Sequence, residues 1–340
     1  MSVSIRDVAQ AASVSVGTVS NVLNRPQIVA PGTVERVTQA IERLGFVRND
    51  AARQLRAGRS HSFGLVILDG RNPFFMDVAH GAQSRALDDG YTVLMGSSDE
   101  SNAREASLLD MFEEHRVAGV LISPVHTELS RLRKLRESGT PVVLVDRGTS
   151  DKSFSSVSVD DFEGGRIGAQ HLVSVGRSRI AFVGGPQDLT QVADRVRGVR
   201  SVLEESPGVS LEVYSTQALS VLEGRRIGEA IVSLPVNRRP DAIFAANDLV
   251  AMGVLQALVM TGGLRVPDDI ALLGYDDIDF TRAAVVPISS VRQPAVRIGS
   301  TAVDLLLREA QAVSDGAGSS IEPQQIEFVP ELVIRASTAG

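Results

Sequence analysis

Cysteine is absent from the 340 residues, which excludes a disulfide framework, thiolate metal sites and thiol nucleophiles. No stretch approaches the ~18 consecutive apolar residues of a membrane-spanning helix, and Met1 to Asp7 lacks the apolar run that opens a signal peptide. A soluble cytoplasmic protein with no membrane partner is therefore expected. The phosphate-binding pattern G-x-x-x-x-G-K-[ST], the dinucleotide pattern G-x-G-x-x-G and the nucleophile elbow G-x-S-x-G are all missing. The five histidines (61, 80, 115, 126 and 171) show no metal-ligand spacing. Asp276, Asp277 and Asp279 lack the glycine and distal glutamate of a calcium loop. No catalytic residue, metal or cofactor is assigned.

What is present is an ordinary globular composition, 43% hydrophobic and 22% charged, long enough for two or three domains of roughly 100–200 residues each. The net charge of −7 is unevenly spread. Residues 1–60 carry eight arginines (6, 25, 36, 43, 48, 53, 56 and 59) against Asp7, Glu35, Glu42 and Asp50, leaving the remaining residues strongly acidic. A basic head on an acidic body confines any polyanion to the head.

In that head Ser4 is a candidate N-cap, followed by Ile5, Val8, Ala9 and Ala12 at helical spacing. Ser13-Val14 breaks the pattern and Ser15 caps a second helix, whose inner face is Val19, Val22 and Leu23. Its outer face presents Val16, Gly17, Ser20, Asn21 and Asn24. Two short helices joined by a tight turn read as a helix-turn-helix. Short side chains let the second helix approach a major groove, where Asn21 can bond a base edge and Thr18 and Ser20 can reach phosphates. Val34, Val37, Ile41 and Leu44 mark a third, core-forming helix. Asn49 to Gly58 reads as two helical turns, too short to persist alone.

The runs Ser4-Ile5-Arg6-Asp7-Val8-Ala9 and Val14-Ser15-Val16-Gly17-Thr18-Val19-Ser20-Asn21-Val22-Leu23-Asn24 closely resemble the head of the lactose-repressor (LacI/GalR) family, and the resemblance extends over essentially the whole chain. It implies a transcriptional repressor that binds pseudo-palindromic double-stranded operator DNA as a homodimer. Val16, Gly17 and Asn21 would choose the operator, with Ser4, Ser15, Thr18, Ser20 and Asn24 also contacting DNA. Residues 49–60, including Asn49, Ala52 and Arg53, would form a hinge helix on DNA, with Ala52 at the helix pairing and Leu55 as a minor-groove wedge. Relatives often carry Arg at Asn21 and a polar cap at Ala30, so base choice would differ and the third helix start would be weaker.

From residue 61 onward, short β-branched runs alternate with helical segments. Strands are expected at Phe63–Leu68, Tyr91–Met95, Gly119–Ser123, Pro141–Asp146, Ile180–Val183, Ala242–Ala245 and Ile270–Gly274. Continuous apolar strands between helices indicate parallel sheets covered on both faces. The expected architecture is thus an all-α helix-turn-helix head (1–48), a linker (49–60) and an α/β body (61–340) of two doubly wound parallel-sheet subdomains. Ligands in such folds bind beyond the carboxyl ends of strands, where Asp69, Asn72, Phe74, Phe75, Asp146, Arg147, Gln191, Arg195, Asn247 and Asp276 fall. Carboxylates, an arginine fork, carboxamides and aromatic faces together suit a neutral polyhydroxylated ligand.

The resemblance implies a periplasmic-binding-protein-like body whose interlobe cleft takes a small effector, a sugar or sugar derivative. Arg195 and Asp276 match its effector-contacting segments, Leu219 falls near a stacking position, and Leu189 stands where purine-responsive relatives carry a polar anchor. One subdomain would hold about 61–160 and 291–322, the other about 161–290 and 323–340, with crossings near 159–162, 288–293 and 321–326. Two alternatives share such a body: a solute-binding receptor, which would carry a secretion signal in place of the head, and a sugar-active enzyme, which would need convergent acid and base groups.

Overall fold

The computed structural model describes residues 3–46, 60–126, 128–187, 189–316 and 322–339. Asn49, Ala52, Arg53 and Leu55, and the side chain of Asn24, lie outside this description. The chain divides into two compact units, Met1–Ser60 and His61–Gly340.

The described residues of the first unit form three α-helices: α1 (Ile5–Ala11), α2 (Val16–Asn24) and α3 (Pro31–Leu44). Ser4 and Asp7 form a capping box at α1, with the Ser4 N–H donating to the Asp7 carboxylate at 2.8 Å. Ser13, at φ +54°, turns the chain. The Ser15 hydroxyl then accepts the Thr18 N–H at 3.0 Å to start α2. Ala30 offers α3 no side-chain cap, as expected, and Pro31 opens the helix instead. Val8, Val19 and Val37 are fully buried at the centre, each contributing about 1.5–3 kcal/mol relative to exposure.

The second unit contains two six-stranded sheets. The first holds β1 (Ser62–Ile67), β2 (Thr92–Ser97), β3 (Gly119–Ile122), β4 (Val142–Val145), β5 (Ser155–Val159) and β11 (Gln325–Phe328), in the order β11-β5-β4-β3-β1-β2, all parallel. The second holds β6 (Arg179–Val183), β7 (Ser210–Tyr214), β8 (Ala242–Ala245), β9 (Ala271–Asp276), β10 (Ser289–Arg292) and β12 (Glu331–Val333), in the order β12-β10-β9-β8-β6-β7. Its edge strand β12 runs antiparallel to β10. Helices α4 (Pro73–Asp88), α5 (Asn102–Glu114), α6 (Ser130–Glu137) and α12 (Ala295–Ser314) accompany the first sheet; α7 (Asp161–Ser174), α8 (Thr190–Glu204), α9 (Val221–Val232), α10 (Asp248–Gln256) and α11 (Asp279–Arg282) belong to the second lobe. No helix among the described residues is long and apolar enough to cross a membrane.

Seven of these strands fall where the sequence predicts them, β12 lies in Glu331–Ser337, which resembles the family's closing strand, and β5, β7, β10 and β11 have no counterpart among the expected strands. β5 reads Ser-Ser-Val-Ser-Val and β10 Ser-Ser-Val-Arg, which look like loop, yet their serines are buried. Three of the buried hydroxyls have acceptors: Ser155 donates to Glu309 at 2.6 Å, Ser289 to the Arg335 carbonyl at 3.0 Å and Ser290 to Asp248 at 2.8 Å. Two of the expected subdomain boundaries are corrected as a result. Residues 291–292 belong to β10 of the second sheet, so the second crossing falls at 293–294. β11 pairs with β5 in the first sheet, so the third crossing falls at 329–330 and not near 321–326.

Candidate functional site

Two surfaces carry the residues that sequence reasoning selected. On α2 the pattern of burial separates two faces. Val19 and Val22 are buried, whereas Val16, Gly17 and Asn21 are exposed and Thr18 and Ser20 half-buried. Val16, a β-branched apolar residue, is 41% exposed although the head core lies on the same helix. The hydroxyls of Ser4 and Ser15 serve as helix caps in this structure.

The second surface is a cavity of about 40 Å³ between the two lobes. It gathers Asp69, Asn72, Phe74, Phe75, Asp146, Gln191, Arg195, Leu219, Asn247 and Asp276, ten of the eleven expected cleft residues, at the ends of β1, β4, β8 and β9 and the starts of helices. Arg147 faces an adjoining outer cavity of about 610 Å³, which shares Asp146 and Gln191 with the inner one.

Each side chain is held by its own local geometry. The Asn72 carboxamide oxygen caps α4 by accepting the Phe74 N–H at 3.0 Å, while its Nδ2 donates across the cleft to Asp276 at 3.0 Å. Phe74 and Phe75 meet edge to face, centroids 5.1 Å apart. Asp146 sits at φ +59° and Asp276 at φ +106°, conformations that few L-residues adopt and that concentrate at ligand sites. Gln191 donates to the Asp146 carbonyl at 3.1 Å, and Arg147 to the Thr190 hydroxyl at 3.1 Å, so both link one lobe to the other.

Arg195 is buried and fixed on three sides. Its Nε donates to Asp161 at 2.8 Å, its Nη1 to the Ala246 carbonyl at 2.7 Å, and its guanidinium lies 3.6 Å from the Tyr275 ring centroid. The Tyr275 hydroxyl also donates to Asp161, at 2.9 Å. The glycines of α7 make room for this arrangement: a Cβ at Gly165 would stand 2.1 Å from the Arg195 carbonyl oxygen, and one at Gly164 2.2 Å from the Tyr275 hydroxyl. The glycine-rich run at 164–168 therefore serves close packing.

Burial dominates the electrostatics. It pushes the Asp276 carboxyl up to about 6, against the pull of Arg195, Asn72 and Gln293. Burial, and then the neighbouring Asp161, push Asp146 well above the usual carboxylate range. Burial opposes the charge on Arg195, but Asp161, Tyr275 and Asp276 keep it cationic. Asp248 and Asp277, adjacent in sequence to cleft residues, are structural. Asp248 accepts from Ile278 N–H and Ser290, and Asp277 pairs with Arg292 at 2.7 Å and Arg335 at 2.5 Å.

The sequence marks Gln293 only as part of a crossing and gives no signal at Glu100, yet both line the cavity. Gln293 escaped because β10, which delivers it, was hidden by its serines. Its Nε2 donates to Asp276 at 2.7 Å, while its Oε1 is buried with no partner, as is Nδ2 of Asn247. Both residues line the same small cavity, and among the described residues neither of these two atoms has a partner. No group of acidic or histidine side chains suited to a metal ion occurs among the described residues.

Comparison with known proteins identifies the family. Residues 4–49 match a family model described as bacterial regulatory proteins, lacI family, and residues 169–338 one described as a periplasmic binding protein-like domain. The chain is 31% identical to the HTH-type transcriptional repressor PurR of Aliivibrio fischeri (strain ES114), covering 99% of this chain and 98% of that one. It is 34% identical to the ribose operon repressor of Bacillus subtilis (strain 168) over 89% and 90% of the two chains. The structure of the lac repressor dimer bound to operator and the anti-inducer ONPF superposes with a TM-score of 0.84 at 26% identity, covering 100% of both chains. The chain belongs to the lacI family of bacterial transcriptional regulators.

Proposed function

We propose that the protein is a cytoplasmic repressor that binds pseudo-palindromic operator DNA as a homodimer and is released or engaged by a small sugar held between the lobes. The observation that carries the ligand reading is the pair of unsatisfied buried atoms, Asn247 Nδ2 and Gln293 Oε1, in a cavity bounded by Asp146, Asp276 and Arg195. A hydroxyl is donor and acceptor at once, so a polyol satisfies both. Phe74, Phe75 and Leu219 supply the apolar face that a sugar ring requires. Leu189, also in the lining, offers no hydrogen bond to a purine.

The exposed face of α2 supports DNA reading by Val16, Gly17 and Asn21, with Thr18 and Ser20 beside them. Large exposed apolar side chains support self-association: Leu94 and Met95 on the edge strand β2, and Phe280 and Val285 in the second lobe. Because three strand crossings join the lobes, rigid-body rotation about them can carry the ligand signal through segment 49–60 to the head. No catalytic role is proposed. The Asp276–Asp277 pair diverges, one carboxylate facing the cavity and the other locked between arginines.

A gel-shift titration tests this reading. Purified protein should bind a palindromic operator far more tightly than scrambled duplex, and one sugar should change that affinity by about 5- to 150-fold. Indifference to every duplex at low salt overturns it.

A further inference from the structure

The turn that presents Asp276 to the cleft is held from outside the cleft. Asp276 and Asp277 are consecutive residues in the left-handed region, at φ +106° and +58°. Neither is glycine, so the turn persists only where its surroundings over-determine it. The Asp276 carboxylate accepts from Asn72 and Gln293 within the cavity, where a ligand would also reach it. The restraint that a ligand leaves untouched falls on the next two residues. The Asp277 N–H donates to the Ser290 hydroxyl at 3.1 Å, and the Ile278 N–H to Asp248 at 2.9 Å. The Asp277 carboxylate, 1% exposed, is clamped by Arg292 of β10 at 2.7 Å and by Arg335 at 2.5 Å.

Arg335 follows β12 in the C-terminal segment and is the better buried of the two arginines, 13% exposed against 41%. Its Nη1 donates to the Ile288 carbonyl at 2.7 Å, and its N–H to the Ser289 hydroxyl at 2.8 Å. The segment beyond it is anchored as firmly. Ser337 is fully buried and exchanges hydrogen bonds with Leu272 of β9, the strand that ends at Asp276. Thr338 bonds to His171 at 2.7 Å. Arg335 lines neither the inner cavity nor the adjoining one.

Resting on the reading that the effector bonds to Asp276, we infer that Arg335 is a positioning residue for effector binding, acting through Asp277 to hold Asp276 in its left-handed turn. An ion pair withdrawn from water leaves an uncompensated charge when one partner is removed. Without the Arg335 guanidinium, Asp277 keeps only Arg292 and the more distant Arg282, at 3.8 Å, both more exposed. The turn then relaxes toward a right-handed or extended backbone, which rotates the Asp276 carboxylate out of the cavity.

The test uses full-length protein and isothermal titration calorimetry. Aldopentoses and aldohexoses are the probes, and the tightest of them is carried through a double-mutant cycle. Arg335→Met, which keeps length and removes charge, should weaken that sugar by about tenfold, whereas in an Asp276→Asn background it should cost less than about twofold, because the carboxylate it positions is gone. The fall in affinity through a pH of about 6 should also flatten in Arg335→Met, as in Asp276→Asn. An equal loss in both backgrounds, no loss from Arg335→Met by itself, or an undiminished pH dependence overturns the inference while Asp276 stays in the site. If Arg335→Met does not fold, Asp277→Asn breaks the ion pair from its other end, and the same non-additivity is required of it. If Asp276→Asn binds as tightly as wild type, or no sugar binds wild type, the cleft reading falls and this inference falls with it.

Discussion

Asn72 and Asp276 lie 204 residues apart in the chain, one in each lobe, and meet across the cleft through a 3.0 Å hydrogen bond from carboxamide to carboxylate. Asn72 starts α4 of the first lobe, and Asp276 ends β9 of the second. A ligand seated between them would bond to groups that already report on the separation of the lobes.

Replacing Asp276 with Asn removes the charged acceptor while keeping the shape. Hydrogen bonds to a charged group contribute about 1.5–3 kcal/mol each, so effector affinity should fall by at least about tenfold, with DNA binding in the absence of effector unchanged. Calorimetry and gel-shift on the same preparation check this. Undiminished effector affinity would remove Asp276 from the site.

The elevated pKa of Asp276 sets a pH dependence. Ligand hydroxyls donate more strongly to the carboxylate than to the neutral acid, so binding favours the deprotonated form and releases a proton near pH 6. Affinity for a neutral sugar should therefore drop as pH falls through about 6 and level off above it. Calorimetric titrations from pH 5 to pH 8 (about one unit apart) decide the sign, and an affinity that rises on acidification contradicts it.

In the head, Asn21 is the exposed side chain on α2 best equipped to read a base edge. Asn21→Ala should reduce operator affinity by about 1–3 kcal/mol while leaving binding to random duplex nearly unaltered. Equal loss on both duplexes would show that Asn21 contacts only the backbone. Operator affinity should also decline steeply with salt, since the arginine-rich head displaces counterions.

Gly165→Ala places a methyl group 2.1 Å from the Arg195 carbonyl oxygen. Separating α7 from α8 should lower stability by about 1–3 kcal/mol or more. It should also weaken effector binding, because Arg195 moves with α8. Thermal unfolding monitored by circular dichroism gives the first quantity, and an unchanged melting temperature refutes the close approach.

The parts legible in the sequence are those governed by local chemistry. Ser4 and Ser15 announced their helices because a hydroxyl before an apolar period has few other uses. The strands β1, β3, β4 and β8 announced themselves because burial on both faces demands uninterrupted apolar residues. β5 and β10 were hidden because their serines are satisfied by partners far away in sequence: Glu309 for Ser155, Asp248 for Ser290. Gln293 was lost with β10, and the orphaned atoms of Gln293 and Asn247 have no sequence signature at all.

The sequence by itself determined the helix-turn-helix head, the alternation of strands and helices in the body, and nearly every residue that lines the cleft, because capping, periodicity and strand-end chemistry act over a few residues. Tertiary structure decided where the chain crosses between lobes, which carboxylates face the cavity and which are locked in ion pairs, and which donors and acceptors are left for a ligand. Those outcomes depend on which distant groups share a low-dielectric interior, and only the folded arrangement of both lobes brings such groups within hydrogen-bonding reach.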